Sequence, residues 1–202
     1  MESFLAGVVT GLKATSPLEA VAVVFGLAYS VFAILRTRWC WVAAFISSVI
    51  LIYLSWIGRL PMQAGLQAYY VAMAIYGYWH WTRDDGKATQ AVTTWPLAYH
   101  GTAWAVVLVV SLLSARFLVA DTSAWPFLDS LTTWGSLVAT WLMAQVKLEN
   151  WLYWIVLDTI STFLYAAQGF MFIALLFAVY LVVSAVGFAA WFRNWRSPVQ
   201  QT

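Results

Sequence analysis

Asp158 stands alone in the longest weakly charged stretch of this 202-residue chain: between positions 150 and 192 no other Asp, Glu, Lys or Arg occurs. A carboxylate in such apolar company is costly to bury and is a candidate for ligand binding by default. Trp151, Trp154, Ser161, Thr162 and Tyr165 lie at helical spacing from it and share one face. That face is aromatic at both ends and polar in the middle. It suits a flat, cationic or partly polar ring, held by stacking and cation–π attraction. A protonated or hydrogen-bonded Asp158 that only fixes helix packing fits the same residues. Gln63, Gln67, Tyr70 and Trp81 share a second helical face. They offer amides and a phenol to the hydroxyls and amide of a small metabolite, or to neighbouring helices. Thr133, Trp134, Thr140, Trp141 and Gln145 form a weaker group, and Ser47, Ser48 and Tyr53 read as packing residues. Cys40, the single cysteine, reads as a small apolar packing residue. His80 and His100 read as interfacial, with no carboxylate near in sequence to make a proton relay.

The elements that must position these groups follow from composition. The chain is 63% hydrophobic and 9% charged, with net charge +2, where soluble domains carry about a quarter charged residues. Positions 39–58, 60–82, 88–115 and 130–146 hold no charge, and a bilayer span needs about 20 apolar residues. A soluble enzyme, a disordered tail and a nucleic-acid binder are excluded together. Seven spans are expected, near 18–35, 39–57, 62–81, 97–119, 127–146, 151–167 and 170–192. They must be helices, because an open strand would leave its amides unsatisfied in lipid. The N-terminal segment reads as a short interfacial helix. Trp39, Trp41, Trp79, Trp81, Trp95, Trp125, Trp191 and Trp195 fall at span ends and fit interfacial belts.

The third and seventh spans share a pattern: Tyr70, Gly77, Trp81 and Arg83 recur as Tyr180, Gly187, Trp191 and Arg193, an offset of 110. The first and fifth echo at an offset of 109, pairing Pro17 with Pro126 and Gly26 with Gly135, and Trp39 pairs loosely with Trp151. An even number of spans separates the copies, so the repeats are parallel. The expected all-α membrane fold is three helices, one linker helix and three helices. Its segments are an N-terminal part at 1–16, a first bundle at 17–82, a polar loop and linker helix at 83–120, a second bundle at 121–195 and a tail at 196–202. Such repeats are typical of carriers with a site between the bundles.

The segment Glu149-Asn150-Trp151-Leu152-Tyr153-Trp154, followed by Asp158, Tyr165, Gly169 and Gly187-x-x-x-Trp191, resembles the PnuC family of bacterial vitamin transporters. Ser16-Pro17-Leu18-Glu19 through Tyr76-Gly77-Tyr78-Trp79-His80-Trp81 agrees, so the resemblance covers about residues 16–195. It implies a full-length fold akin to the SWEET sugar carriers, a homotrimer in the bacterial inner membrane, and uptake of nicotinamide riboside by facilitated diffusion. It further implies trapping of the riboside by a cytosolic kinase, and a Trp-x-x-Trp pair, here Trp151 and Trp154, lining the substrate site. Similar family members carry thiamine or flavin-type vitamins, and a cationic ring alone does not separate nicotinamide riboside from thiamine. The expected site residues are Trp151, Trp154, Asp158, Thr162, Tyr165, Gln63, Gln67 and Tyr70, with no cofactor.

Other classes fare worse. A seven-helix photoreceptor needs a lysine in its last span, and none follows Lys147. No Walker-type loop and no paired acid and base for catalysis occur. A substrate-capturing subunit that needs an energising partner is the remaining alternative.

Orientation follows from Lys and Arg. Arg36, Arg38, Arg83, Lys87, Lys147, Arg193 and Arg196 fall on one side, against Lys13, Arg59 and Arg116 on the other. By the positive-inside rule the N-terminus is outside and the C-terminus cytoplasmic. A C-terminal fusion should therefore be active with a cytoplasmic reporter and silent with one that works only outside; the opposite pattern would reverse the assignment.

Overall fold

The computed structural model describes residues 2–83, 91–118 and 124–196. It is all-helical: α1 (Glu2–Ala14), α2 (Pro17–Ile34), α3 (Trp39–Ile57), α4 (Pro61–Thr82), α5 (Leu97–Phe117), α6 (Pro126–Ala144), α7 (Asn150–Ala167) and α8 (Met171–Arg196). Helices α2 to α8 fall on the seven apolar segments of the sequence. Four of the described helices, α2, α3, α5 and α8, are long and apolar enough to cross a membrane by composition alone. Helices α4, α6 and α7 are less apolar because they carry the polar candidates: the Gln63–Tyr70 face, Thr133 and Thr140, and Asp158. The first span starts sharply. The Glu19 amide donates to the Ser16 hydroxyl at 3.2 Å and the Ser16 amide to the Glu19 carboxylate at 2.6 Å, a capping box ahead of Pro17. Helix α1 does more than lie at an interface: it docks on the start of α8, with Gly7 against Met171 and Gly11 against Phe172.

Packing pairs close a ring. α2 packs on α3, α3 on α4, α4 on α6, α6 on α7, α7 on α8, and α8 back on α2. Helix α5 lies outside against α6, and α1 outside against α8. Around this ring α2 faces α6, α3 faces α7, and α4 faces α8. Among the described residues these opposing helices make no close backbone approach, so the six enclose an interior.

The turns reveal the register of the repeat. After α2, the Arg36 amide bonds to Ala33 O and the Thr37 amide to Phe32 O; after α6, Val146 bonds to Met143 O and Lys147 to Leu142 O. Arg36 and Val146 both sit in the left-handed region, at φ 54° and 53°. The turns after α3 and α7 match in the same way, with Arg59 (φ 56°) and Gly169 (φ 83°) as their left-handed residues. All four are Schellman caps, and each pair is offset by 110. The equivalent of Trp151 is therefore Trp41, not Trp39. The 109 offset of Pro17 and Pro126 holds only at the helix starts, because α6 has 19 residues and α2 has 18. Gly26 corresponds structurally to Ser136: the Tyr180 hydroxyl lies where a Gly26 side chain would be, and the Tyr70 hydroxyl donates to Ser136 Oγ at 2.7 Å.

A left-handed conformation costs a non-glycine residue about 1 kcal/mol or more. Arg59 is exposed, so it has little packing to offset that cost. Arg59→Gly should raise stability by roughly 1 kcal/mol, read as a higher thermal midpoint of the purified protein in detergent.

Candidate functional site

Helix α7 separates its faces cleanly. Leu152, Val156, Thr159 and Phe163 are exposed on its outer side, while Trp151, Asp158 and Ser161 are buried and Trp154, Thr162 and Tyr165 are half-buried opposite them. Asp158 is only 4% exposed and accepts a hydrogen bond from the Ser184 hydroxyl of α8 at 3.1 Å. Tyr70 of α4 and Tyr180 of α8 lie near enough to the Asp158 carboxylate to interact with it electrostatically. Tyr70 is itself held by Ser136 of α6. One acid, two phenols and two serines thus converge from four ring helices at mid-depth. Trp154 flanks them, its indole packed against Ala139, Leu142, Tyr153 and Leu157. Further along α7, Tyr165 stacks on Phe177 with ring centroids 5.3 Å apart. The Thr162 hydroxyl bonds back to the Asp158 carbonyl at 2.7 Å, so its donor proton serves the helix. On α4, Gln67 is buried, whereas Gln63 one turn outward is exposed at the helix start.

Trp151 belongs to a different layer. Its ring meets Trp191 edge-on at 5.6 Å, Trp191 lies 6.4 Å from Trp81, and Trp81 meets Trp41 edge-on at 5.6 Å. These four buried indoles run α3–α4–α8–α7 and fill the ring at one end, the end of the α2–α3 and α6–α7 turns. Two glycines make room for them: a side chain at Gly77 would collide with the Trp41 ring, and a Cβ at Gly187 would lie 2.6 Å from the Trp151 ring. The Trp81 indole donates to Ala144 O at 3.0 Å, and the Trp191 indole donates to Ala33 O and Ile34 O at 3.2 and 3.3 Å. Each of these two indoles reaches a carbonyl at the end of a helix in the other half, Trp81 that of Ala144 and Trp191 that of Ile34. Ala33 O, already bonded to the Arg36 amide, shares the second donor.

Three expectations change here. Trp41, Trp81 and Trp191 are buried in this plug and are not interfacial anchors; Trp41 turns inward because Gly77 leaves space for its ring, and Trp81 and Trp191 because helix-end carbonyls accept their N–H groups. Trp39, Trp79, Trp125 and Trp195 are exposed as a belt requires. His100 does have a carboxylate beside it: its Nε2 lies 3.6 Å from Glu149 Oε1, and its Nδ1 lies 3.1 Å from the Tyr153 hydroxyl. Glu149 also accepts the Trp95 amide, while Thr93 pairs through its backbone with Val146 and Leu148. The segment ahead of α5 is thereby pinned to the α6–α7 turn. Trp134 donates to Ser114 of α5, and Gln145 donates to the Tyr76 hydroxyl, so both are tied to neighbouring helices. Cys40 is fully buried, as a packing residue should be. Sequence reasoning missed Ser136 and Ser184, because a serine inside an apolar helix carries no signal of its own. Trp41 was recoverable from the 110 offset.

Among the described residues no group of three or more His, Cys, Asp and Glu side chains could hold a metal ion. The ring contains three helices, α2, α3 and α8, that are long and apolar enough to cross a membrane, and its interior is polar and aromatic and shut at one end, a form that suits a small-molecule carrier.

Comparison with known proteins names the family. The chain belongs to the PnuC family, whose model, described as nicotinamide mononucleotide transporter, matches residues 16–193. The riboflavin/roseoflavin transporter RibM of Streptomyces davaonensis is 28% identical over 88% of this chain and 85% of its own. The nicotinamide riboside transporter PnuC of Escherichia coli is 25% identical over 65% of this chain and 66% of its own. The crystal structure of the vitamin B3 transporter PnuC shares the fold, with a TM-score of 0.73, 96% of this chain and 90% of that chain covered, and 23% identity. The relatives and the fold are those of transporters, not enzymes.

The plug should be intolerant of bulk and only moderately sensitive to loss of a bond. Trp191→Phe removes an indole donor and should cost about 1 kcal/mol. Gly187→Ala forces a methyl into the Trp151 ring and should cost more, up to about 3 kcal/mol. Thermal unfolding of both variants in detergent checks the order.

Proposed function

We propose that this chain takes up nicotinamide riboside across the bacterial inner membrane by facilitated diffusion. The observation that carries the reading is the buried Asp158 carboxylate beside Trp154 on the inner face of α7. A cationic pyridinium ring stacked on an indole next to a carboxylate gains from both, and cation–π contact contributes about 0.5–2 kcal/mol. Trp154, Asp158 and Tyr165 form one wall, Gln67 and Tyr70 the other, with Gln63 at the mouth, Trp151 at the floor and Thr162 as helix support.

The arrangement that fits this reading is a SWEET-like three-plus-one-plus-three fold of seven spans, assembled as a homotrimer. Bundles at 17–82 and 121–195 are joined by the loop and linker helix at 83–120. The N-terminus lies outside and the C-terminus in the cytoplasm. The plug, at the end that carries Arg36, Arg38, Arg83, Lys147 and Arg193, then closes the cytoplasmic side. Transport alternates by rocking the two bundles, parting Trp81 from Trp191 while the opposite end closes. No coupling ion enters, and net uptake comes from phosphorylation of the riboside inside the cell.

A second reading is a flavin-type vitamin, favoured by the relative RibM, which matches 88% of the chain. The neutral isoalloxazine ring would use Trp154 but gain little from Asp158.

Side-by-side titration of the purified protein with nicotinamide riboside, thiamine and riboflavin, followed by uptake into sealed liposomes, separates these readings. Trp154→Ala should abolish measurable binding, and the exposed Phe117→Ala should be silent. Asp158→Asn should weaken riboside binding about tenfold, the weight of one cation contact. An unchanged affinity would reduce the acid to a packing role, and binding without uptake would identify a capturing subunit.

A further inference from the structure

The 110 register sets the inner faces of α3 and α7 side by side. Each begins with a plug indole, Trp41 or Trp151, resting on the glycine of the next helix. One turn further, α7 carries Trp154 and α3 carries Ala44; beyond these come Asp158 against Ser48, Ser161 against Leu51 and Tyr165 against Ser55. The two helices face each other across the ring without close backbone approach. Ala44 is half-buried and packs against the plug cluster, which fixes it just above the floor of the interior. Phe45, Val49 and Tyr53 occupy the exposed side of α3, so Ala44 and Ser48 point away from lipid. The two walls are therefore built from one plan but differ most at this one level: an indole on one side, a methyl on the other.

We infer that Ala44 determines which substrates fit, by leaving opposite Trp154 the room that a second indole would take. The inference rests on the transport reading above and deepens it. A flat ligand stacked on Trp154 must extend across the interior, and the first side chain it meets on α3 at that level is Ala44. With a tryptophan there the interior would be lined by two indoles at the same depth, and a ligand with a fused three-ring system would lose its space before a single-ring ligand did. Ser48, buried beside it, offers a hydroxyl to the polar tail of the same ligand. The class of ligand implied is a flat heteroaromatic ring with a hydroxylated side chain.

The test uses the full chain with Cys40→Ala as background. Ala44→Trp is titrated with nicotinamide riboside and with riboflavin, and Ala44→Cys is labelled with a small water-soluble maleimide in the absence and presence of each. Ala44→Trp should weaken both ligands and riboflavin at least about tenfold more, a range usual for steric exclusion from a pocket. The Ala44→Cys variant should be labelled, and bound ligand should slow labelling. A folded Ala44→Trp protein that keeps both affinities within about twofold would overturn the inference, as would an unlabelled Ala44→Cys. If Ala44→Trp does not fold, labelling and its protection decide alone. If the parent protein binds neither ligand, the transport reading fails for both, while labelling still reports whether position 44 is reached from water.

Discussion

Crossed hydrogen bonds from two indoles tie the halves of this protein together. Trp81, at the end of α4, donates to a carbonyl that closes α6, and Trp191, at the end of α8, donates to the carbonyls that close α2. The end of a helix leaves carbonyls without intrahelical partners, and in a bilayer there is little water to serve them. Each half therefore supplies what the other lacks. The bonds fall on the same two helix contacts, α4 with α6 and α8 with α2, by which the halves meet and close the ring. The glycine contacts, the turn geometry and the depth of the interior are all set relative to this layer.

Because the crossed bonds obey one register, the two halves can be compared residue by residue, and the proposed site lies where they differ. The half formed by α6 to α8 carries Trp154, Asp158 and Ser184 where its counterpart carries Ala44, Ser48 and Ala74. A carboxylate inside a span costs about 3 kcal/mol to insert. The structure meets part of that cost with the hydrogen bond from the Ser184 hydroxyl. Polar groups are concentrated on α4, α6 and α7, which is why these three are less apolar than their neighbours. Among the described residues α5 and the segment ahead of it are tied to α6 and the α6–α7 turn, through Trp134 with Ser114, and through Glu149 with His100 and the Trp95 amide.

Much of the fold was legible in the chain. Long apolar stretches with few charges favour helices, and α2 to α8 lie where those stretches do, four of them, α2, α3, α5 and α8, being apolar enough to cross a membrane. The inner face of α7 was legible for the same reason: Asp158 has no favourable place on a lipid-facing side, and helical periodicity carries Trp154 and Tyr165 with it. The recurrence of Tyr, Gly, Trp and Arg at 110 exposed the duplication, although the looser echoes at 109 and at Trp39 misplaced the register. Length variation between α2 and α6 hides the true offset until the turns are seen.

What only the tertiary structure decided concerns residues whose chemistry suits two places equally well. A tryptophan at the end of a span is stable at the lipid interface and stable in a core, because its ring is apolar and its one N–H needs one acceptor. Trp39 and Trp41 are two positions apart, yet the first faces outward and the second lies over Gly77. Nothing local distinguishes them; the space beside Gly77 and Gly187 and the carbonyls at the ends of α2 and α6 do. Glu149 meets His100 only because the segment before α5 pairs with the α6–α7 turn, a long-range contact that no local pattern encodes. The sequence by itself determined where the apolar helices lie and which face of α7 turns inward, since transfer costs are properties of single residues and their spacing. The ring, its plug and the identity of its partners depend on how distant surfaces fit, and that was decided only by the folded chain.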